Sequence, residues 1–299
     1  MKYCIAILLI GASLMQTPAQ LPNTNIYVLN MDRSGASSYQ FSRPRFLTAF
    51  NIYGYNNQPY FINNNELYIT VQAPDDTTQT DIYSLNLLND VKTRVTATPE
   101  AEYSPQLSPD HGYFSCIRAD AGKSKTQRLW VYPLDRSGEG QAVLKYTTDV
   151  GYYCWLGNDK LAIFKLNGAS NYLMLTNTKD ESSVQLTNNI GRTLLQMPDG
   201  KLAYIQKATE QTWYIKSMDP VTYSSEIIIQ TLPYKEDFVL LSDGTFLMGS
   251  GSKLYSYKMG EVRAWKEIAD FEQYGILNIK RIAISRESDK IAIVDDLNR

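Results

Sequence analysis

Histidine is nearly absent: His111 is the only one in 299 residues. It falls among turn residues, with no nucleophile or carboxylate brought to it by sequence, so it reads as a solvated turn residue rather than a general base. Cysteine is scarce as well, three in all, and no His pair or Cys cluster has metal-ligand spacing. No Gly-x-Ser-x-Gly elbow occurs. No stretch sustains a long 3.6-residue period, so helix is expected to be negligible and there is none for a Gly-rich phosphate loop to open. No metal ion and no cofactor is therefore expected, and no catalytic residue is assigned. Strong charge is lacking too. Twenty-nine basic residues face 31 acidic ones, a net of −2 with pI near 5.6, which argues against a nucleic-acid partner. The apolar run Ile5–Ile10 is too short to span a bilayer, so no transmembrane segment is expected.

What the chain does hold is a repeated hairpin. Tyr103–Arg118 reads YSPQLSPDHGYFSCIR: a short strand, a tip in which Pro109 presets φ and Asp110 caps its own backbone, and a second strand. The same unit returns at Ile62, Leu156, Met197, Leu241 and Ser285. Aligning the tips sets Asn65, Asp110, Asp159, Asp199, Asp243 and Glu287 in register, with intervals of 45, 49, 40, 44 and 44 residues. That period with four strands per unit is the signature of a β-propeller blade, and six copies mean six blades.

The motif resembles that of the TolB-like, WD-repeat-like propellers, whose blades carry a Pro-x-hydrophobic-Ser-Pro-Asp-Gly turn. Pro105, Leu107, Ser108, Pro109 and Asp110 match it, with His111 standing before Gly112; Pro198, Asp199 and Gly200 match its core, as do Ser242, Asp243 and Gly244. The resemblance covers nearly all of the chain and implies an all-β, six-bladed propeller. It also implies protein binding, since the family's namesake docks a peptidoglycan-associated lipoprotein at its propeller. The α/β domain that precedes the propeller in that namesake has no counterpart here, so the particular partner does not carry over.

At the N-terminus, Lys2, the apolar run and Thr17-Pro18-Ala19 have the layout of a secretory signal peptide cleaved after Ala19, leaving one propeller domain from residue 20 to 299 in the periplasm or outside the cell. Asn25–Met31 reads as a strand, Asp32–Ser38 as a polar turn and Arg45–Phe50 as a second strand. Neither strand has a tip hairpin before it, whereas the hairpin within 276–295 has nothing after it. The last blade is thus expected to take inner strands from the C-terminus and outer strands from the N-terminus, closing the ring and removing exposed edges. A second repeated element supports this. DIYSLNL at Asp81, RLWVYPL at Arg128, NYLMLTN at Asn171, TWYIKSM at Thr212 and KLYSYKM at Lys253 supply third strands, and NIYVLNM at Asn25 is the sixth of the set.

Cys116 and Cys154 fall on strands of adjacent blades; they read as small buried apolar residues or as a cross-blade disulfide, which export permits. The acid pairs Asp75-Asp76 and Asp295-Asp296 are solvated turns or hard-oxygen ligands for Ca²⁺. Tyrosine is plentiful, 22 residues, suiting half-buried strands or offering platforms for sugar.

In a propeller the first strand of each blade lines the axis. Counting seven residues back from each tip gives Gln58, Tyr103, Tyr152, Arg192, Glu236 and Lys280, one per blade, as candidate tunnel-mouth residues. Their mix of aromatic and charged groups is that of a binding mouth, or of any strand entry beside a wet tunnel. Three functions are in view: an exported, non-catalytic, monomeric scaffold that binds an envelope or secreted protein; a glycan or small-ligand binder, or a polysaccharide-acting enzyme, using the mouth; and a bare spacer ring.

Overall fold

The hairpin repeat becomes a closed ring of six four-stranded antiparallel sheets. The computed structural model describes residues 21–35, 38–72, 76, 79–120, 126–168, 170–261 and 263–298; the leader reading of Met1–Ala19, and Asp75, lie outside them. Blade 1 runs outward from Asn56–Asn63 through Glu66–Gln72 and Thr80–Asn86 to Lys92–Arg94. Blades 2 to 5 repeat that order from inner strands Ala101–Leu107, Val150–Trp155, Ile190–Gln196 and Phe238–Leu240. Blade 6 is composite. Its inner pair, Ile279–Ile284 and Lys290–Asp296, is continued outward by Thr24–Gly35 and Ser38–Phe46. The seam is in register from Thr24 opposite Asp296 to Asn30 opposite Lys290.

The N-terminal pair differs from expectation in detail. The first strand continues to Gly35, and the second ends at Phe46 rather than Phe50. Residues Ala49–Asn51 form a 3₁₀ turn instead, because Thr48 leaves the ladder to accept Ile26 N on its side-chain oxygen at 3.0 Å. The described residues contain a second 3₁₀ turn, Glu272–Tyr274, and no α-helix, so no helix is long and apolar enough to cross a membrane.

Each interface between neighbouring blades holds its own apolar cluster. Leu67, Ile69 and Val71 of blade 1 meet Ile26, Val28 and Val294 of blade 6; Leu29, Ile291 and Ile293 turn the other way onto Leu247 and Leu254 of blade 5. The period-2 alternation of each strand thus feeds two interfaces at once. Each such buried aliphatic side chain contributes about 1.5–3 kcal/mol.

The tips close as their residue types dictate. Asp110 Oδ1 accepts Gly112 N at 3.1 Å, Asp199 Oδ1 accepts Lys201 N at 3.1 Å, and Asp243 Oδ1 accepts Thr245 N at 3.0 Å. Two aligned positions are replaced in this role: Asn63, not Asn65, caps the first tip through its side-chain oxygen, and Ser285 with Asp289, not Glu287, closes the last. His111 has φ 59°, occupying the left-handed position that Gly200 and Gly244 hold at the equivalent turns. It is exposed there.

Cys116 and Cys154 are both buried and free. No disulfide joins them, and burial pushes the Cys154 thiol up to about 12 and Cys116 well above its usual range. Asp295 and Asp296 are buried strand residues rather than an open acidic turn. Asp295 Oδ1 accepts Leu277 N and Asn278 N at 2.9 and 2.7 Å, and Asp296 pairs with Lys280 Nζ at 3.3 Å, so the backbone and a lysine take the place the calcium reading gave to a cation.

Candidate functional site: the tunnel and its mouth

The six inner strands enclose a central tunnel of about 930 Å³. Its wall is apolar in the middle, with Phe61, Leu107, Leu194, Phe238 and Ile282, and polar at both ends. At the hairpin-tip end stand Asn64, His111, Arg286 and Glu287; at the strand-entry end stand Gln58, Tyr152, Arg192, Asp237 and Arg281.

The strand-entry end is shaped by backbone irregularity. Register shifts occur between Asn57 and Tyr60, Tyr103 and Gln106, Val150 and Tyr152, Ile190 and Leu194, and Ile279 and Arg281. Five of the six inner strands therefore bulge near their entry, and a bulge re-aims the side chains around it. Gln58 and Ser104 take φ of 54° without being glycine, a conformation that surrounding structure must enforce. Gln58 Oε1 does so by accepting Ser104 N at 2.9 Å and Thr70 Oγ1 at 2.8 Å, locking blade 1 to blade 2.

The charged centre of the mouth is a shared carboxylate. Asp237 Oδ2 accepts Arg192 Nε at 2.6 Å and also Arg192 Nη2; Asp237 Oδ1 faces Arg281 Nη1 at 3.4 Å. Arg281 Nη2 then donates to the Tyr152 hydroxyl at 2.9 Å. Burial works against the Arg281 charge, but Asp237, Tyr152 and Tyr55 hold the guanidinium protonated above its usual range. Tyr55 lies buried beside this group, and burial drives its phenol far up despite the Arg281 charge nearby.

The six residues expected at the mouth divide into three groups. Gln58, Tyr152 and Arg192 line the tunnel. Glu236 and Lys280 line instead a crevice of about 100 Å³ between blades 5 and 6, which Arg192 also reaches. Tyr103 packs against the cluster of Ile117, Leu129 and Tyr153 between blades 2 and 3. In blades 5 and 6 the residues that line the tunnel at this end are Asp237 and Arg281, each one residue beyond the position counted from the tip.

Glu236 Oε1 pairs with Lys207 Nζ at 3.1 Å and Glu236 Oε2 accepts Arg192 N at 3.1 Å. The two carboxylates nearest the mouth, Glu236 and Asp237, are thus each held by cations rather than set facing one another. Among the described residues no group of three or more His, Cys, Asp or Glu side chains is placed to hold a metal ion.

This architecture is a TolB-like six-bladed propeller. Comparison with known proteins finds no matching family model and no matching curated protein. Solved structures match in fold. A TolB candidate from Agrobacterium tumefaciens superposes with a TM-score of 0.67 at 12% identity, covering 93% of this chain and 99% of that one. TolB from Acinetobacter baumannii gives 0.54 at 13%, covering 95% and 66%. An oligogalacturonate lyase from Vibrio parahaemolyticus gives 0.53 at 12%, covering 90% and 97%. TolB structures and a lyase thus share the ring, and identity at this level speaks for the fold alone.

Proposed function

We propose that the chain is an exported, non-catalytic binding module that takes a segment of a protein partner at its tunnel mouth, in the periplasm or outside the cell, and acts as a monomer. The observation that carries this reading is the mouth itself. Side chains from several blades, Gln58, Tyr152, Arg192, Asp237 and Arg281, line one opening, with Glu236 and Lys280 in the crevice beside it and Tyr103 packed between blades 2 and 3. Aromatic area combined with oriented charge is what concentrates binding energy at an interface. The mouth carboxylates spend their lone pairs on Arg192, Lys207 and Arg281, an arrangement that favours recognition over proton transfer. Export rests on the leader-like N-terminus, and the monomer on a ring closed upon itself, whose inner edges are sheltered by the tunnel.

A second reading, glycan or small-ligand binding, is favoured by the tunnel volume of about 930 Å³, which lies within the roughly 300–1,000 Å³ of small-molecule sites. Affinity capture from an envelope extract separates the two. We expect the wild-type protein to retain a specific protein, and a Tyr152→Ala/Arg192→Ala variant with unchanged circular dichroism to lose it. Retention by both proteins alike would contradict the mouth; no captured protein, together with a hit on a glycan array, would favour the second reading.

A further inference from the structure

The crevice between blades 5 and 6 holds more positive charge than its own carboxylates can balance. Arg192, Lys235, Lys280 and Arg281 line it against Glu236 and Asp237. Lys207 compensates Glu236, and Asp296 compensates Lys280, so adding these outer partners leaves the excess at two charges. Asp237 is divided between Arg192 and Arg281.

Two donors in this group have no protein partner. Lys235 Nζ makes no side-chain hydrogen bond or ion pair among the described residues, although the residue is half-buried. Arg281 Nε is buried without a hydrogen-bond acceptor. A buried charge-bearing donor left unmet costs free energy that an incoming acceptor recovers. The field at Lys235 points the same way: burial, the Lys280 charge and the Arg192 charge lower its pKa, outweighing Asp237 and Asp296.

The wall of the crevice is also fixed by sequence. Gly249 forms part of its wall, and a Cβ there would stand 2.2 Å from Ile279 Cγ2, so a side chain would push the inner strand of blade 6 out of place. At about 100 Å³ the space suits one acidic group rather than a whole ligand. It adjoins the tunnel, since Arg192, Asp237 and Arg281 line both.

We infer that this crevice is an oxyanion site, taking a carboxylate or phosphate group of whatever occupies the tunnel mouth, with Lys235 as its principal cation and Lys280 and Arg192 beside it. The role of the anion as part of the occupant rests on the mouth-binding function above; the anion site itself does not.

The test uses the whole exported chain with inorganic phosphate and acetate as probes and chloride at matched ionic strength as control. The Lys235 side-chain ¹⁵N resonance is followed through a pH titration in each. We expect phosphate or acetate, but not chloride, to raise the Lys235 pKa toward its ordinary value. Isothermal titration is expected to show roughly tenfold weaker binding in Lys235→Met, recovered in Lys235→Arg. Tighter phosphate binding would point to a phosphorylated occupant, and equal or tighter acetate binding to a carboxylate. A Lys235 resonance that titrates identically in all three salts, or equal affinity of wild type and Lys235→Met, would overturn the site. Partner capture is scored separately: an anion site that responds as expected in a protein capturing nothing sinks the mouth function and leaves the anion site standing.

Discussion

Arg281 and Tyr152 join across the axis of the ring. They sit on the inner strands of blades 6 and 3, which face one another in a six-membered circle, and the guanidinium Nη2 donates to the phenol oxygen at 2.9 Å. The guanidinium carbon also lies 5.3 Å from the tyrosine ring centroid. The pair therefore bars the strand-entry end of the tunnel with a single side-chain bridge. Tyr152→Phe removes the hydrogen bond and keeps the ring, and Arg281→Met removes the charge and keeps most of the volume. A double-mutant cycle read by urea unfolding is expected to give a coupling of about 1 kcal/mol. Additive single effects would mean the two side chains do not meet in solution.

Asp237 anchors that bridge. Among the described residues it alone offers its carboxylate to both Arg192 and Arg281, and all three side chains are mostly withdrawn from water. Asp237→Asn should destabilise the protein by ~3 kcal/mol, because two guanidinium charges lose their shared counter-charge in a poorly hydrated site. Chemical denaturation measures this directly. A loss below about 0.5 kcal/mol, as at an ordinary surface position, would place the cluster in open solvent.

Glu102 gives the fold a pH dependence. It is fully buried on the inner strand of blade 2. Burial pushes its carboxyl up to about 7; Thr98 and Thr96 oppose this by hydrogen bonding, the Asp81 charge adds to it, and Arg118 opposes it. The folded state thus holds this proton more tightly than the unfolded chain, whose value is near 4.5. The contribution is complete below pH 4.5 and is lost as pH rises toward 7, by on the order of 3 kcal/mol. Glu102→Gln should flatten that part of the stability profile between pH 5 and 8, other groups unchanged. Identical profiles for the two proteins would show that Glu102 titrates normally.

The fold was legible because it is written several times over. Each copy of the tip carries turn chemistry, and each third strand carries the same apolar alternation, so the missing member at Asn25 was identifiable as the completion of blade 6. The mouth was less legible, and for a definable reason. Its geometry depends on bulges at Asn57–Tyr60 and Ile279–Arg281 and on the positive φ of Gln58 and Ser104. A bulge is a property of two strands together, and neither Gln nor Ser announces a left-handed backbone. Counting back a fixed number from the tip therefore names Gln58, Tyr152 and Arg192, which line the tunnel, and Glu236 and Lys280, which line the adjoining crevice while their neighbours Asp237 and Arg281 line the tunnel. Tyr103, the last residue in register before the bulge of its strand, packs against the cluster between blades 2 and 3 rather than along the tunnel.

Both the bridge across the tunnel and the crevice beside it exist only if the chain's first strand finishes the last blade. Hydrogen exchange at the amides of Tyr27, Leu29, Ile291 and Ile293 probes that seam, compared with Leu161 and Ile163 in the middle of blade 3. We expect the two sets to exchange equally slowly, through the same global opening. Exchange at the seam faster by several orders of magnitude, like that of a fraying terminus, would mean the ring stands open and would contradict the mouth built upon it.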